Sequence, residues 1–354
     1  MITFGVEEEF MVVDRHGRLS NASAAVLADA PPADGELQPE LVRCQVESAT
    51  PVCSTADELL GHLRTQRDQL AKAAGRHDLR LLPAGTAPQP DTWQTAVTAD
   101  RRYERMATHF GTLIDSANIC GCHVHIGIPD RASGVRVSNY LRPWLPVLLA
   151  VSANSPFAAG RDTGHASWRH QTIAMWPTAG PPPHFDSPDH YDATVQALLG
   201  TGAIVDEQMI YWDIRLSPRH PTVEIRVCDV APTAPDATLL AVLTRALAAT
   251  ALQQRADAPP VPTETIAAAL WRAGKDGLEG LCPDPFAERL MPATVALQRL
   301  VDHVREEFAP GEDEFVDRRV TALKSVPGGA FRQRAVFARR RRIRDVIDLL
   351  AEQF

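Results

Sequence analysis

The sequence predicts an α+β fold in which a largely antiparallel sheet has one polar face and one apolar face. Short strand-like segments are mostly separated by helical segments and lie at 3–13, 42–48, 80–83, 119–128, 212–216 and 223–229. The last two are joined by a short connection that contains Ser217-Pro218, which indicates an antiparallel pair. Neither a GxGxxG turn nor a P-loop motif occurs, so the pattern does not favour a doubly wound nucleotide-binding fold.

The composition is that of a soluble globular protein. The 354 residues are 45% hydrophobic and 23% charged, and this length suggests two domains or one large domain. We interpret the chain as a single domain, residues 1–354, with a mostly helical C-terminal part that starts at about residue 256, in the proline-rich stretch 256–262. The formal net charge of −8 argues against a nucleic-acid partner, which would require a basic surface.

Helical periodicity predicts helices at 57–74, 236–253, 292–308 and 337–354. In the first of these, leucines recur at helical spacing and Thr55 is placed to cap the N-terminus. The basic run 339–342 is interpreted as a solvated face of the last helix, and a phosphate-binding role for it is left open.

Two features predict a cytoplasmic protein without a membrane partner. No basic segment followed by an apolar stretch is present at the N-terminus, and apolar runs such as 144–153 and 239–252 are too short or too interrupted to span a bilayer. The six cysteines are scattered and predict buried free thiols in a reducing compartment. Cys120 and Cys122 have neither the spacing nor the second pair of a zinc site.

The first strand carries three consecutive glutamates, and alternation separates them. Side chains of one parity share a face of a strand, so Glu7 and Glu9 lie together with Gly5 beside them. Glu8 falls on the apolar face, where it requires a cationic or hydrogen-bonding partner. Adjacent like charges destabilise a strand, and a bound cation would remove that repulsion between Glu7 and Glu9.

The later strands repeat this period of two. Their polar positions, which alternate with apolar ones, are Arg43, Gln45 and Glu47, then His123 and His125, then Asp213 and Arg215, then Glu224 and Arg226. If these strands are neighbours, one face of the sheet carries several carboxylates, one or two imidazoles and several arginines. Such a face suits a polyphosphate, because carboxylates hold divalent cations that bridge phosphate oxygens and arginines neutralise the charge of a phosphoryl group in transfer. The oxygen-rich set fits Mg²⁺ better than Zn²⁺.

Seven motifs together resemble those of the carboxylate–amine ligases, also called type 2 glutamate–cysteine ligases, which are related to glutamine synthetase. They are GVEEEF at 5–10, CGCHVHIG at 120–127, SANSPF at 152–157, DTGHASWR at 162–169, WDIR at 212–215, PTVEIR at 221–226 and GAFRQR at 329–334. The resemblance implies a glutamine-synthetase-like catalytic sheet with helices packed on the face opposite the polar one. It also implies the use of ATP with two or three Mg²⁺ ions, small amino-acid and amine substrates, and an acyl-phosphate intermediate on the way to an amide. It is compatible with a homodimer.

The same resemblance assigns roles to individual residues. The expected metal ligands are Glu7, Glu9, Glu40, Glu47, His125 and Glu224, of which Glu40 matches less securely. Glu224 and Arg226 are the expected catalytic residues, and Arg226 is matched to the cation that contacts the transferring phosphate. The expected contacts to phosphate or substrate carboxylate are Arg169 and Arg215, and the expected amino-acid site contains Asn154, Asp162 and Thr163.

Two other functions remain open from the sequence. A metal-dependent hydrolase would use a metal-activated water at His123, His125 and the glutamates, and it would act without ATP. A nucleotide- or amino-acid-binding protein would bind ATP without releasing phosphate. The resemblance favours glutamate and cysteine as substrates of a ligase, although nothing in the residues themselves selects the amine.

Overall fold

The structure is a computed structural model that describes residues 2–89, 96–253, 261–285 and 287–354, and the side chains of residues 287 and 288 are not described. The strands are β1 (Phe4–Asp14), β2 (Glu36–Pro39), β3 (Gln45–Ala49), β4 (Leu79–Leu82), β5 (Gly121–Gly127), β6 (Phe157–Ala158), β7 (Arg161–Asp162), β8 (Ile214–Leu216), β9 (Thr222–Asp229), β10 (Leu281–Asp284) and β11 (Ala287–Pro292).

The helices follow the amphipathic and apolar segments of the sequence. They are α1 (Ser23–Asp29), α2 (Ala56–Gly75), α3 (Arg101–Phe110), α4 (Arg131–Leu141), α5 (Leu145–Ser152), α6 (Trp168–Ile173), α7 (Pro188–Gly200), α8 (Ala234–Gln253), α9 (Thr263–Asp276), α10 (Ala293–Val304), α11 (Glu312–Ser325), α12 (Gly328–Arg340) and α13 (Ile343–Gln353). The expected start of a helical C-terminal part at about residue 256 lies outside the described residues. From residue 261 onward, the described chain is helical apart from β10 and β11.

One antiparallel sheet of seven strands organises the described chain. Its order is β2-β3-β1-β5-β9-β8, and β4 pairs with the end of β1 beyond β3. Every neighbouring pair in this sheet is antiparallel. The predicted α+β fold with a largely antiparallel sheet is therefore confirmed, including the β8–β9 pair joined through Ser217-Pro218.

The apolar face of the sheet is covered by helices. Phe4, Val6, Val124 and Ile126 alternate with polar residues along β1 and β5 and are buried in the main core. Helix α8 lies against β1 and β5, while α4 and α5 reach β8 and β9. By length and composition α8 could cross a membrane, but 78% of its most apolar window is buried inside the protein, which is typical of a core helix.

Glu8 has the cationic partner that its position on the apolar face requires. The Arg67 guanidinium on α2 donates to both carboxylate oxygens, with Nη2–Oε1 at 2.5 Å and Nε–Oε2 at 2.9 Å. Arg67 also donates to the carbonyls of Ala231 and Pro232 and lies over the rings of Phe10 and Phe354. Both charged side chains are almost fully buried, at 0% and 2% exposure, so this pair ties the central strand to α2 inside the core.

Two local predictions have different outcomes. Thr55 caps α2 as predicted, and it does so in a capping box in which Glu58 bonds back to the Thr55 backbone. The single helix predicted at 337–354 is wrong, because the chain turns at Arg341 and forms α12 and α13. Arg341 adopts the left-handed conformation (φ 55°), and its N–H donates to the Phe337 carbonyl to end α12. The run 339–342 is exposed as expected, but it lies at this turn and not on one helix face.

Replacing Arg67 by Met leaves Glu8 buried without a cation. We expect Arg67→Met to lower the free energy of unfolding by about 3–5 kcal/mol, because removing one partner of a buried ion pair leaves an uncompensated charge. Urea unfolding measures the change. Arg64→Met removes an exposed arginine from the same helix and should change the free energy by less than about 0.5 kcal/mol. Equal losses in both variants would contradict this role of the pair.

Candidate active site

The register of the sheet gathers the polar side chains on one face. The directly opposed pairs are Glu7 with His123, Gly5 with His125, Glu9 with Glu47, Gln38 with Glu47, His125 with Glu224, and Arg215 with Glu224. These residues come from β1, β2, β3, β5, β8 and β9. The predicted polar face is therefore continuous across six neighbouring strands.

Two groups of potential metal ligands form within this face. Glu7, His125 and Glu224 make one group, and Glu9, Glu40 and Glu47 make the other. Within each group, one ligand atom from every residue lies within 4.8 Å of the others. All six residues expected to bind metal are thus brought together, divided into a carboxylate–imidazole set and an all-carboxylate set.

The first group is held by close contacts between side chains, two of which are hydrogen bonds, from His123 to Glu7 and from His125 to Thr222. Glu7 lies 3.2 Å from His125 Nε2 and 3.3 Å from His123 Nδ1, and His125 Nδ1 lies 2.9 Å from the Thr222 hydroxyl. Burial opposes ionisation of Glu7, but the contacts with the two histidines lower its pKa below the ordinary range. Burial likewise opposes ionisation of Glu224, and the charges of Arg226 and Arg215 outweigh it and hold its pKa well below the ordinary range. Both carboxylates of this group are therefore held ionised, whereas the contact with Glu7 outweighs burial and raises the pKa of His125.

The second group is electrostatically unsatisfied. Glu9 and Glu47 face each other across β1 and β3, and their neutral partners are the Gly121 N–H (2.6 Å to Glu9) and the Gln38 amide (2.5 Å to Glu47). Burial and the charge of Glu9 raise the pKa of Glu40 to about 7. Burial and the charges of Glu7, Glu40 and Glu9 raise the pKa of Glu47 well above its ordinary value. A hard divalent cation with oxygen ligands fits this set, because it removes the repulsion among the three carboxylates.

The three arginines have different surroundings. Arg215 uses its donors within the protein, on both oxygens of Glu224 (2.8 and 3.1 Å) and on the carbonyls of Gln208 and Ile210. Arg226 bonds to Glu224 and lies 3.4 Å from His123 Nδ1. Arg215 thus fixes the position of Glu224, whereas Arg226 reaches into the centre of the polar face.

Arg169 enters the face beside a glycine. A Cβ at Gly121 would lie 2.4 Å from Arg169 Nη2, so only glycine admits the guanidinium there. Its contacts are long, 3.3 Å to the Arg226 carbonyl and 3.5 Å to that of Val227, and its buried Nε has no hydrogen-bond partner in the described parts of the chain. A buried guanidinium with unused donor capacity is suited to binding a phosphate or carboxylate.

His123 is a site residue that we did not include among the expected ligands. Its side chain is 4% exposed, it contacts both Glu7 and Arg226, and none of the described residues hydrogen-bonds to its Nε2. Burial and the charge of Arg226 lower its pKa to about 4, so the imidazole is neutral at physiological pH. The sequence signal for this position was its spacing: His123 and His125 are two residues apart in β5 and therefore lie on the same face of the strand.

The three residues expected in the amino-acid site are not brought to the two ligand groups. Asn154 is fully buried and bonds the carbonyls of Pro83 and Val230 and the amide of Gln333. Asp162 forms a two-pronged ion pair with Arg334, at 2.9 and 3.0 Å. Thr163 bonds the Pro156 carbonyl at 3.0 Å. These contacts fix the segment that leads from α5 through β6 and β7 to α6.

A bulge in β9 adds Asp229, which strand alternation did not predict. Cys122 pairs with Cys228 and Val124 with Ile225, so β9 has one residue more than β5 between these pairs. The extra residue places Asp229 opposite Gly121 on the polar face. Its carboxylate accepts from the Asn154 N–H and from the hydroxyls of Ser155 and Ser167, at 2.7–2.8 Å. Asp229 thereby anchors the start of α6, which carries Arg169.

Comparison with known proteins identifies the family. The model of glutamate–cysteine ligase family 2 matches residues 3–348. The chain belongs to that family. A Rhodococcus jostii protein whose provisional name is glutamate–cysteine ligase 2-1 is 48% identical over 99% of this chain and 96% of its own length. A protein of Mycobacterium sp. (strain KMS) with the provisional name glutamate–cysteine ligase 2-2 is 43% identical over 99% of this chain and 98% of its own length.

Solved structures similar to this member of the family share its fold. The glutamate–cysteine ligase of Francisella tularensis in complex with AMP superposes with a TM-score of 0.73 at 14% identity and covers 99% of this chain and 88% of its own. The bifunctional glutathione synthetase of Pasteurella multocida superposes with a TM-score of 0.71 at 16% identity over 99% of this chain. The present chain spans 52% of that bifunctional protein. The expected family and fold are both confirmed.

The second ligand group predicts an unusual dependence of stability on pH. The folded-state pKa of Glu40 is raised from 4.5 to about 7, so the folded protein keeps protons that the unfolded chain has already released. We therefore expect the free energy of unfolding of the metal-free protein to fall as the pH rises from about 4.5 through about 7. Mg²⁺ should offset this loss, with a gain on the order of 2–3 kcal/mol at a free concentration of about 100 times its Kd. Thermal unfolding in EDTA and in Mg²⁺ across this pH range measures both effects.

Glu47→Gln is the variant that tests the origin of this effect. It removes one of the opposed carboxylates, so at neutral pH its metal-free form should be more stable than the wild type and should gain less from Mg²⁺. Glu36→Gln removes an exposed carboxylate from β2 and should change neither quantity. If Mg²⁺ increased the stability of Glu47→Gln and Glu36→Gln by the same amount, the second group would bind no cation.

Proposed function

We propose that this protein is an ATP- and Mg²⁺-dependent carboxylate–amine ligase that activates an amino-acid carboxylate as an acyl phosphate and joins it to an amine. L-Glutamate and L-cysteine are the first pair to test, since they are the substrates in the names of its relatives. The observation that carries the proposal is the meeting of two ligand groups with Arg226 and Arg169 on one face of the sheet. Membership of glutamate–cysteine ligase family 2 supports it.

The residues of the face divide into three tasks. Glu7, His125 and Glu224 would hold one Mg²⁺, and Glu9, Glu40 and Glu47 would hold another. When bound, such ions polarise phosphate oxygens and offset the charge of the triphosphate. Arg226 faces the transferring phosphoryl group, Arg169 binds a neighbouring anionic group, and Arg215 keeps Glu224 in place through its two-pronged bond.

The reaction has two steps that this arrangement supports. A substrate carboxylate oxygen attacks the γ-phosphorus of ATP and ADP leaves, which gives an acyl phosphate. The amine nitrogen then attacks the acyl carbon, and phosphate leaves as the amide forms. During transfer the charge of the phosphoryl group is spread over its three equatorial oxygens, and the fixed guanidinium of Arg226 would stabilise it. The neutral imidazole of His123 fills the space between Glu7 and Arg226 without adding a competing charge.

We also propose that residues 1–354 act as one catalytic unit in the cytoplasm. The C-terminal helix α12 supports this, because its Gln333 donates to both the carbonyl and the side-chain oxygen of Asn154, at 3.0 and 2.7 Å. Asn154, Asp162 and Thr163 would then shape the amino-acid site through the backbone of the segment they fix. The hydrolase alternative has less support, since five of the six ligands in the two groups are carboxylates, which favour Mg²⁺ over zinc-type chemistry.

The proposal predicts ATP consumption that depends on a carboxylate substrate and on Mg²⁺. Purified protein is incubated with ATP, Mg²⁺ and each amino acid in turn, with and without a panel of amines that includes L-cysteine. We expect ADP and phosphate release to require both substrates and an amide product with the corresponding mass in mass spectrometry. Metal-dependent hydrolysis of the corresponding amides in the absence of ATP would favour the hydrolase. ATP binding without phosphate release under any combination would favour a binding protein.

Glu224 and Arg226 test the mechanism. We expect Glu224→Gln and Arg226→Ala each to lower kcat by about 10²–10³-fold, because the first removes a metal ligand and the second a cation that stabilises the transferring phosphoryl group. Arg219→Ala removes an exposed arginine from the β8–β9 connection and should keep the wild-type rate. Thermal unfolding verifies that the variants are folded. Wild-type rates in Glu224→Gln or Arg226→Ala would contradict the roles proposed for them.

A further inference from the structure

Asp213 is a buried carboxylate on the polar face. Its residue is 4% exposed, and its Oδ2 has no hydrogen-bond partner among the described residues. It lies just before β8, and continuing the pairing of Ile214 with Ile225 places it opposite Arg226, whose N–H donates to the Asp213 carbonyl at 2.8 Å. Asp213 therefore shares the face that carries Arg215, Glu224 and Arg226.

The neighbouring carboxylates on this face are already accounted for. Five of them lie in the two metal groups, and Asp229 accepts three hydrogen bonds from Asn154, Ser155 and Ser167. Asp213 belongs to neither metal group and receives no such bond in the part of the chain that the structure describes. A buried carboxylate in this condition costs free energy, which a ligand that donates hydrogen bonds would recover.

The charges around Asp213 indicate the chemical class of a ligand that would donate hydrogen bonds to it. Burial raises the pKa of Asp213 to about 7, and the nearby charges of Arg169 and Arg226 only partly oppose this effect. An anion would be repelled by the carboxylate, whereas a cationic donor would complete its hydrogen bonding. Arg169 and Arg226 would bind the anionic groups of the reaction, and Asp213 lies beside them as a hydrogen-bond acceptor. A cationic group bound at Asp213 would thus lie beside the phosphoryl group held by Arg226.

We propose that Asp213 receives the ammonium group of the amine substrate and takes a proton from it. The inference rests on the proposed function and adds the residue that makes the amine nucleophilic. In this step the ammonium gives one proton to the Asp213 carboxylate, and the neutral nitrogen attacks the acyl carbon of the acyl phosphate. The carbon–oxygen bond to phosphate then breaks, and the second nitrogen proton leaves with the phosphate. Asp213 returns its proton to solvent when the amide departs.

A nucleophile that is already uncharged distinguishes deprotonation of the amine by Asp213 from a role of Asp213 in positioning Arg169 and Arg226. Hydroxylamine is uncharged at neutral pH and reacts with an acyl phosphate to give a hydroxamate, which is measured by its colour with ferric ion. Amide formation is measured by mass spectrometry with the amino acid that gives the most hydroxamate with the wild-type enzyme. We expect Asp213→Asn to lower kcat/KM for the amine by about 10²–10⁴-fold and to keep hydroxamate formation close to the wild-type rate.

Two further variants complete the experiment. Asp213→Ser is measured in parallel. Serine is smaller than asparagine and avoids any steric effect of the asparagine side chain, so this variant should show the same selective loss. Glu207→Gln removes an exposed carboxylate from the loop before β8 and should retain both reactions. Thermal unfolding of each variant confirms that the proteins are folded at the assay temperature.

The outcomes separate the two proposals. Selective loss of the amine reaction in both Asp213 variants supports the role of Asp213. Equal loss of amide and hydroxamate would mean that Asp213 only positions Arg169 and Arg226, and unchanged amide formation would mean that it has no role in the amine step. Either result overturns the inference. If the wild-type enzyme formed no hydroxamate from any of the amino acids tested, the ligase function itself would be overturned instead.

Discussion

Repulsion among carboxylates on one face of the central sheet is the constraint on which the rest of this structure depends. Glu9 and Glu47 are directly opposed in neighbouring strands, and like charges in that position destabilise a sheet. The sheet forms because its other face supplies the missing stability. Strand β1 pairs with three other strands, and its apolar side chains are buried against α8 and α2. The Glu8–Arg67 pair fastens β1 to α2 below the polar face. Strand alternation therefore lets one segment, 5–10, serve both the site and the core.

The folded protein accommodates the repulsion by retaining protons. The pKa values of Glu40 and Asp213 are raised to about 7, and that of Glu47 is raised well above the ordinary range. Seven carboxylates and three arginines lie on or beside this face, so full ionisation would leave four net negative charges. Such a face would repel a triphosphate. Two divalent cations would cancel the excess and release the retained protons, since ligands must be deprotonated to bind metal. Cation binding would therefore be a condition for nucleotide binding and not an addition to it.

The sequence predicted the parts of the site that follow from a period of two. Alternation alone placed Glu7 and Glu9 together and sent Glu8 to the opposite side, and with the assumption that the strands are neighbours it put Glu47, His125 and Glu224 on a shared face. Glu40 lies outside any regular strand and could be assigned only from resemblance to a family. Features set by a single irregular residue were not predictable. The bulge in β9 brings Asp229 onto the polar face, and the left-handed Arg341 divides the last helix. Neither position has the glycine or asparagine that usually signals such a break in a pattern.

Sequence pattern also cannot distinguish arginines that share a face, because their roles depend on which donors remain unused. Arg215 and Arg226 flank Glu224 in the same register, yet the donors of Arg215 are taken by Glu224 and two carbonyls of the preceding loop. Arg169 comes from a helix, and it reaches the face where Gly121 has no side chain, 3.3 and 3.5 Å from the carbonyls of Arg226 and Val227 at the β9 bulge. The bulge that moves Asp229 thus also carries the two carbonyls that contact Arg169. The same short part of β9 therefore contacts Arg169 and, through the bond from Ser167 to Asp229, fixes the start of the helix that carries it.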